Sequence, residues 1–206
     1  MLNIKEFMTM IVSAADEIIA AEVELTDIDS KFGDADHGLT MKKVMNRIKS
    51  DMGEPNDTQT FKAFLDDVSM SVMMINGGSA VPLWSTLFDG MSVGAPDKTD
   101  VDAAEFKEIF KQGYETLAEL SKAKVGDKTM MDTLIPAVEA IQNAEGDIKE
   151  ILEAGTKGAE AGAENSKNFV SKFGRAKSYK EQTIGTPDAG AVSMKYFFVG
   201  LNKGLQ

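Results

Sequence analysis

Apolar side chains recur every three or four residues through most of the chain, which is the spacing of one face of an α-helix. Phe7, Ile11, Ala14 and Ile18 form such a stripe near the start. Between residues 25 and 38, glycine and carboxylates replace the pattern, and a loop is expected there. The spacing predicts further helices over 41–52, from 57 or 58 to the stop at Gly77-Gly78, from Pro82 to Gly94, from a capping box at Asp102 and Glu105, over about 131–143 and 148–165, and from 189 to 205.

The pattern predicts an all-α protein, because alternation of apolar and polar residues never persists long enough to indicate a sheet. Gly155, Gly158 and Gly162 lie in one predicted helix and indicate either close helix packing or loose local structure. Pro136 is expected in a first turn or at a kink. The 206 residues fit a single domain, 1–206. No apolar stretch reaches transmembrane length, and the first residues lack the pattern of a signal peptide.

The chain is strongly acidic, with 33 Asp and Glu against 22 Lys and Arg and a formal charge of -11. This charge disfavours nucleic acid and anionic membranes as partners and favours a cationic ligand or a basic partner surface. The absence of cysteine excludes thiol catalysis, disulfides and iron–sulfur clusters, and it is compatible with a cytoplasmic location.

The clearest candidate for chemistry is the segment 29–40, where Asp29, Asp34 and Asp36 lie within eight residues. Carboxylates on a flexible loop suit Mg²⁺ or Ca²⁺, but the spacing lacks the further ligands of an EF-hand. The glycines at 33 and 38 are spaced as in a phosphate-binding P-loop, although Leu39 replaces the essential lysine. The acids would repel phosphate unless cations lay between them, so metal-bridged phosphate is one interpretation. The alternative is a turn whose acids cap the following helix.

His37 is the only histidine in the chain. The residue type allows a phosphocarrier, a general base, a metal ligand or a polar residue that shapes the loop. Its place beside Asp36, at a predicted helix start, favours a role in positioning a nucleotide over covalent chemistry.

Four further stretches differ from helix surface. The glycines of Asn76-Gly77-Gly78-Ser79-Ala80 suit either an anion site before a helix or a helix corner. Arg175, after Gly174, is available to a phosphate, and Asp188 is placed to cap the last helix. Alone, the loop Gly126-Asp127-Lys128-Thr129-Met130 is typical of a turn.

The combination resembles the ADP-binding L subunits of bacterial dihydroxyacetone kinases over nearly the whole chain. The resemblance rests on Gly33-Asp34-Ala35-Asp36-His37-Gly38, Gly77-Gly78, Gly126-Asp127-Lys128-Thr129-Met130, Gly174-Arg175-Ala176 and Asp188-Ala189-Gly190. It implies an eight-helix antiparallel barrel with the nucleotide at one end. It also implies that bound ADP accepts phosphate from a phosphohistidine M subunit and passes it to dihydroxyacetone on a K subunit. A homodimer and contact with a transcriptional regulator are further expectations from the resemblance.

Residue by residue, the resemblance implies that Asp29, Asp34 and Asp36 hold two Mg²⁺ ions and that Arg175 acts on the transferred phosphate. The residues expected to line the nucleotide are His37, Gly38, Leu39, Thr40, Ser79, Ala80, Ser121, Met130, Arg175, Asp188, Ala189 and Gly190.

The chain departs from the family pattern in places. Ser79-Ala80-Val81 stands where Ala-Ser-Gly is usual, Ser121 and Thr40 stand where glycine and asparagine are common, and 177–186 is divergent. The change at 79–81 is compatible with nucleotide binding, whereas the divergence of 177–186 leaves the polyol substrate and the partner open. The competing hypotheses are a kinase component that uses ATP directly, an ADP- and Mg²⁺-binding regulatory module without turnover, and a purely structural helical protein. The last does not explain three acids beside a lone histidine.

Overall fold

The periodic apolar segments of the sequence form helices. The computed structural model describes residues 1–205, and within this range nine α-helices follow one another. They are α1 (Ile4–Ala20), α2 (Glu22–Ser30), α3 (His37–Met52), α4 (Phe61–Met73), α5 (Ala80–Gly94), α6 (Ala103–Leu120), α7 (Met131–Asn143), α8 (Ile148–Asn165) and α9 (Ala189–Gly204). Two short 3-10 segments, Ser166–Asn168 and Arg175–Thr183, lie between α8 and α9.

The eight longer helices form a closed ring around a common core. Each packs against the next in chain order from α3 to α9, α1 packs against α3, and α9 returns to α1. A broad cluster of buried side chains fills the ring, with Trp84, Phe88 and Phe197 in mutual aromatic contact. The all-α prediction is confirmed, and the eight longer helices correspond to the expected barrel.

The close packing of α7 and α8 depends on glycine. An added Cβ at Gly158 would lie 2.6 Å from the carbonyl oxygen of Pro136, and one at Gly162 would lie 2.3 Å from that of Asp132. The glycines of α8 therefore allow close helix packing, which was one of the two interpretations of their spacing. Pro136 lies in the second turn of α7, where it donates no amide hydrogen to the carbonyl of Asp132.

Three details differ from the sequence prediction. Helix α2 occupies part of the expected loop; only Leu25 is buried in it, so it shows no apolar stripe. Helix α4 begins at Phe61, because the Thr60 hydroxyl, rather than residue 57 or 58, accepts the capping bond from the Ala63 amide. That helix also ends at Met73, before Gly77-Gly78.

The third difference is a minimal antiparallel strand pair, β1 (Leu2–Asn3) with β2 (Asp100–Val101). It joins the segments before α1 and α6, and two residues per strand are too few to give a period-two signal in the sequence.

Alternate helices begin at the same end of the ring. Helices α1, α4 and α6 begin beside the strand pair, where the amides of Ile4 and Phe61 donate to the carbonyls of Thr99 and Lys98. Helices α3, α5, α7 and α9 begin at the opposite end, which we call the loop end. None of the helices described between residues 1 and 205 is both long and apolar enough to cross a bilayer.

Candidate functional site

Three carboxylates come together in the acidic loop, residues 29–36, at the loop end of the ring. Asp29 lies in the last turn of α2, and Asp34 and Asp36 lie between α2 and α3. One oxygen from each of the three carboxylates lies within 4.8 Å of the others. Such a set of hard oxygen donors, partly open to solvent, fits a divalent cation such as Mg²⁺.

The backbone of the acidic loop is built around Asp29. Its Oδ2 accepts from the amides of Asp36 at 3.0 Å and His37 at 3.4 Å. An added Cβ at Gly33 would lie 2.1 Å from Asp29 Oδ1, so this turn requires glycine. Ala35 adopts a φ of 59°, a left-handed conformation that is costly for alanine and often found at functional sites.

The acids do not serve mainly as helix caps. Asp36 occupies the N-cap position of α3, yet its side chain accepts no hydrogen bond from that helix. Of the three acids, Asp29 is the one that accepts a hydrogen bond from the start of α3, donated by the His37 amide. The interpretation of this segment as an ordinary capped turn therefore accounts for Asp29 and leaves Asp34 and Asp36 unexplained.

The electrostatics of the cluster favour a bound cation. Partial loss of hydration raises the pKa of the Asp36 carboxyl, and the neighbouring carboxylates of Asp34 and Asp29 raise it further. The Arg175 guanidinium acts in the opposite direction and pairs with Asp34 at 2.8 Å. A divalent ion would relieve the repulsion among the acids far more than one largely exposed arginine does.

Helix starts at the loop end differ in their capping from those at the other end. The N-cap side chains of α1, α4, α6 and α8 each accept a bond from their own helix, whereas those of α3, α5 and α7 accept none. At the loop end, α9 alone has such a cap, which Asp188 provides through a 2.8 Å bond from the Ala191 amide. A helix start without an N-cap side-chain bond can present first-turn amides and a positive dipole end to an anion such as a phosphate. The His37 amide of α3 and the Met131 amide of α7 already donate to Asp29 and Thr129, and the other first-turn amides of these helices have no side-chain cap.

His37 is held by α9. Its Nε2 lies 3.1 Å from Ser193 Oγ, and that hydroxyl donates to the carbonyl of Gly190 at 3.0 Å. Because the hydroxyl has a single proton, Nε2 is the donor to Ser193. Burial lowers the pKa of His37, whereas the Asp29 carboxylate and a hydrogen bond with the Ala189 backbone raise it. Burial therefore favours the neutral form of the ring, and the contact with Ser193 fixes its orientation.

The start of α5 adjoins the start of α3. An added Cβ at Gly77 would lie 3.2 Å from the Thr40 side chain, and one at Gly78 would lie 3.7 Å from Asp36 Oδ2. Ser79 and Ala80 follow at the start of α5, and the exposed Ser79 hydroxyl does not cap the helix.

The start of α9 adjoins the loop before α7. An added Cβ at Gly190 would lie 3.4 Å from Met130, so these two residues are neighbours. Gly38, Thr40 and Ala189 are buried, whereas Leu39 leaves 48% of its surface exposed beside the acidic loop. Ser121 ends α6 at the same end of the ring. The structure thus places the predicted nucleotide-lining residues around one end.

The segment with Arg175 covers the acidic loop at two points. Besides the ion pair of Arg175 with Asp34, the rings of Tyr179 and Phe32 lie 5.2 Å apart. Lys180 adopts a φ of 49° within this irregular segment. An exposed ion pair contributes about 0–1 kcal/mol to stability, so the contact of Arg175 with Asp34 adds little to folding.

Three residues that organise the site had no role assigned from the sequence: Lys128, which was named only as part of a motif, Asp132 and Ser193. Asp132 is buried and accepts from the amides of Gly126 and Thr129, both at 2.6 Å, which shapes the loop before α7. An acid three residues after Thr129, at a helix start, was an available signal. Ser193 and Lys128 act through contacts with residues distant in the chain, and sequence spacing contains no signal for these contacts.

The chain resembles known proteins in both sequence and fold. The DAK2 domain matches residues 31–203. This range includes most of the acidic loop, the helices α3 to α8 and nearly all of α9. The chain belongs to the DAK2 domain family. Within this family it is similar to the ADP-binding subunit DhaL of the PEP-dependent dihydroxyacetone kinase of Escherichia coli, with 30% identity over 87% of each chain. It is 31% identical to a corresponding DhaL subunit of Listeria innocua, over 82% of this chain and 80% of the relative.

Solved structures show the same fold. The dihydroxyacetone kinase of C. freundii matches 94% of this chain with a TM-score of 0.71 in its native form and 0.68 in complex with AMP-PNP and Mg²⁺. Sequence identity is 23% and 21% in these comparisons, and the match spans 33% of the C. freundii chain. The family fold of this chain is therefore one part of that longer kinase.

Proposed function

We propose that this chain, acting as one nucleotide-binding domain, is the ADP-binding subunit of a dihydroxyacetone kinase that uses phosphoenolpyruvate-derived phosphate. ADP is held through two Mg²⁺ ions on Asp29, Asp34 and Asp36. A phosphohistidine partner transfers its phosphoryl group to ADP, and the ATP formed transfers it to a hydroxyl of dihydroxyacetone on a separate K subunit. The observation that carries the proposal is the carboxylate cluster at an end of the ring where three helix starts lack N-cap side-chain bonds.

The chemistry of the residues fits this assignment. Bound magnesium supplies the positive charge that lets phosphates approach three carboxylates. The helix starts of α3 and α5 offer amide donors to the same phosphates, and Arg175 can leave Asp34 for the transferred group. Phosphoryl transfer then depends on positioning and charge stabilisation. His37, the only histidine, is held against α9 through Ser193 and orients the nucleotide.

The names of the relatives support phosphoenolpyruvate as the source of the phosphate. The resemblance supports the other proposed partners. Both DhaL subunits are named as parts of PEP-dependent kinases, and this chain covers most of their length. The K subunit, the phosphohistidine M subunit, the homodimer, the transcriptional regulator and the cytoplasmic location are all part of this proposal. Transfer of phosphate to dihydroxyacetone in a mixture with purified K and phosphohistidine subunits tests the proposal. Absence of transfer in the complete mixture would contradict it.

A second candidate function is direct use of ATP as the phosphate source. In the C. freundii kinase, the matching fold is a third of a longer chain that was solved with AMP-PNP and Mg²⁺. If this chain works in that way, ATP alone should support repeated turnover with the K subunit. The proposed function predicts that sustained turnover requires the phosphohistidine donor.

Replacing Arg175 by alanine should lower the rate of phosphoryl transfer by about 100-fold, because a positioned charge at the transferred group is lost. ADP affinity should fall by less than about 10-fold, since one charge-assisted contact is removed while the metal ligands remain. Single-turnover transfer and calorimetric titration with ADP in magnesium buffer measure the two effects.

The control is Arg47→Ala, which removes the only other arginine in the chain, one that pairs with Asp51 within α3. It should leave both quantities unchanged. A transfer rate of Arg175→Ala equal to that of Arg47→Ala would remove Arg175 from the proposed machinery.

Replacing His37 by glutamine should leave measurable transfer activity, because the amide can still donate to Ser193. In the wild-type protein, label from a phosphohistidine donor should appear on bound nucleotide as ATP and not on protein. Recovery of acid-labile, base-stable phosphate on His37 would show that it is a carrier. Complete loss of transfer in His37→Gln, with ADP affinity intact, would point to the same conclusion.

A further inference from the structure

Lys128 is a buried lysine in the loop before α7. It leaves 4% of its surface exposed and adopts a φ of 61°. Burial of an ammonium group is unfavourable unless its donors are paired. Its Nζ donates to the carbonyl of Ser166 at 2.7 Å and to the carbonyl of Thr186. The strained backbone and the buried charge at one residue indicate that its position matters beyond ordinary packing.

The carbonyls of Ser166 and Thr186 lie near the two ends of the segment that connects α8 to α9. We call residues 166–188, between α8 and α9, the Arg175 loop. Its ends also meet directly, since the Asp188 amide donates to Ser166 Oγ at 3.0 Å and the Gly185 amide donates to the Lys167 carbonyl at 2.7 Å. Lys128 comes from a different part of the chain and closes this junction with a charged donor.

The loop that carries Lys128 is itself well anchored. The carboxylate of Asp132 accepts from two of its amides, and Lys172 of the Arg175 loop binds Asp127 through both its backbone and its ammonium group, at 3.1 Å and 2.6 Å. Burial lowers the pKa of Lys128, whereas the nearby carboxylates of Asp188 and Asp132 raise it. Burial also raises the pKa of Asp188 to about 7. Lys128 therefore places a positive charge near the carboxylates of Asp188 and Asp132.

We propose that Lys128 is a positioning residue: it joins the two ends of the Arg175 loop and so fixes Arg175 over the acidic loop and Asp188 at the start of α9. The inference rests on the proposed function, because the placement of Arg175 has a catalytic consequence only if phosphate is transferred there. Lys128 is too deeply bonded to protein carbonyls to be a phosphate ligand itself.

A matched pair of lysines separates this role from general stabilisation. Lys107 also donates to two backbone carbonyls, those of Gln142 and Ala144, but it does so where α7 ends, away from the loop end. Lys128→Met and Lys107→Met each remove one ammonium group bonded to two carbonyls. Lys128→Gln keeps an amide donor in the buried position and serves if Lys128→Met does not fold.

Hydrogen exchange of the peptide 166–188 is the first measurement. Loss of charge-assisted bonds should speed exchange at Gly185 and Asp188 by about 10- to 100-fold in Lys128→Met, with a smaller change in Lys128→Gln. Lys107→Met should exchange as the wild type does in this peptide. Unchanged exchange in 166–188 for the folded Lys128 variants would overturn the inference, whether or not the protein binds nucleotide.

A double-mutant cycle on the rate of phosphoryl transfer is the second measurement. If Lys128 acts by placing Arg175, Arg175→Ala should lower the rate strongly in the wild-type background and little in the Lys128→Met or Lys128→Gln background. In the Lys107→Met background its effect should be the same as in the wild type. Equal effects of Arg175→Ala in all backgrounds would show that Lys128 is only structural. If the wild type transfers no phosphate, the proposed function fails, and the exchange measurement still decides the role of Lys128 in the loop.

Discussion

Replacing Asp36 by asparagine is expected to lower the affinity for ADP in magnesium buffer by at least about 100-fold while the helical fold remains. Loss of residues that only support metal ligands already costs about 10- to 100-fold in affinity, and Asp36 is proposed as a ligand itself. The fold should persist because the substitution removes one of three crowded carboxylates, whose mutual repulsion raises the pKa of Asp36. Titration calorimetry with ADP and far-ultraviolet circular dichroism measure the two effects. Asp34→Asn should behave in the same way.

Asp27→Asn is the matched control for this experiment. Asp27 is an exposed acid of α2, two residues before Asp29 but outside the carboxylate cluster, and its substitution changes the net charge equally. It should bind ADP as the wild type does. Unchanged ADP affinity in both Asp34→Asn and Asp36→Asn would remove the metal assignment, and an equal loss in Asp27→Asn would attribute the effect to net charge alone.

Replacing Gly38 by alanine is expected to destabilise the protein by about 3 kcal/mol, because the helices α2 and α3 touch at this glycine. An added Cβ would lie 2.1 Å from the carbonyl oxygen of Glu22 and 2.9 Å from the amide nitrogen of Thr26, both of them backbone atoms. The helices would have to move apart, and α2 carries Asp29. For a chain of this length the loss corresponds to a fall in melting temperature of roughly 10 °C.

Gly78→Ala provides the comparison for Gly38→Ala. At Gly78 the nearest atom to an added Cβ is a side-chain oxygen of Asp36 at 3.7 Å, which is an ordinary contact. Thermal unfolding followed by circular dichroism should show little change for Gly78→Ala. If Gly38→Ala and Gly78→Ala unfold at the same temperature, α2 and α3 are not in close contact at Gly38.

Most of the fold was predictable because its helices have clear apolar stripes. Helix α6, for example, begins at a capping box, Asp102 with Glu105, that the structure contains as predicted. Helix α2 was not predictable in this way, because it is short and Leu25 is its one buried residue. Its packing against α3 stabilises it, and the sequence of α2 does not show that contact. The cap at Thr60 was missed because residues 57 and 58 are equally good capping types a few positions earlier.

The candidate site was predictable where its residues are close in sequence. The three acids and His37 lie within nine residues, and their types indicate metal and phosphate chemistry. The contacts of His37 with Ser193 and of Lys128 with Ser166 and Thr186 join residues far apart in the chain, so sequence spacing does not show them. The contrast in capping between the two ends of the ring also requires the structure, because Ser79 is a good capping residue by type and yet does not cap α5.

The measurement that tests the central claim most directly is the magnesium dependence of ADP binding. Wild-type protein, freed of nucleotide by dialysis against a chelator, is titrated with ADP by calorimetry in magnesium buffer and again in excess chelator. The account predicts binding in magnesium and its loss in chelator, because three carboxylates within 4.8 Å of one another repel a nucleotide phosphate without a cation between them. Equal binding in both buffers, or no binding in magnesium, would contradict it.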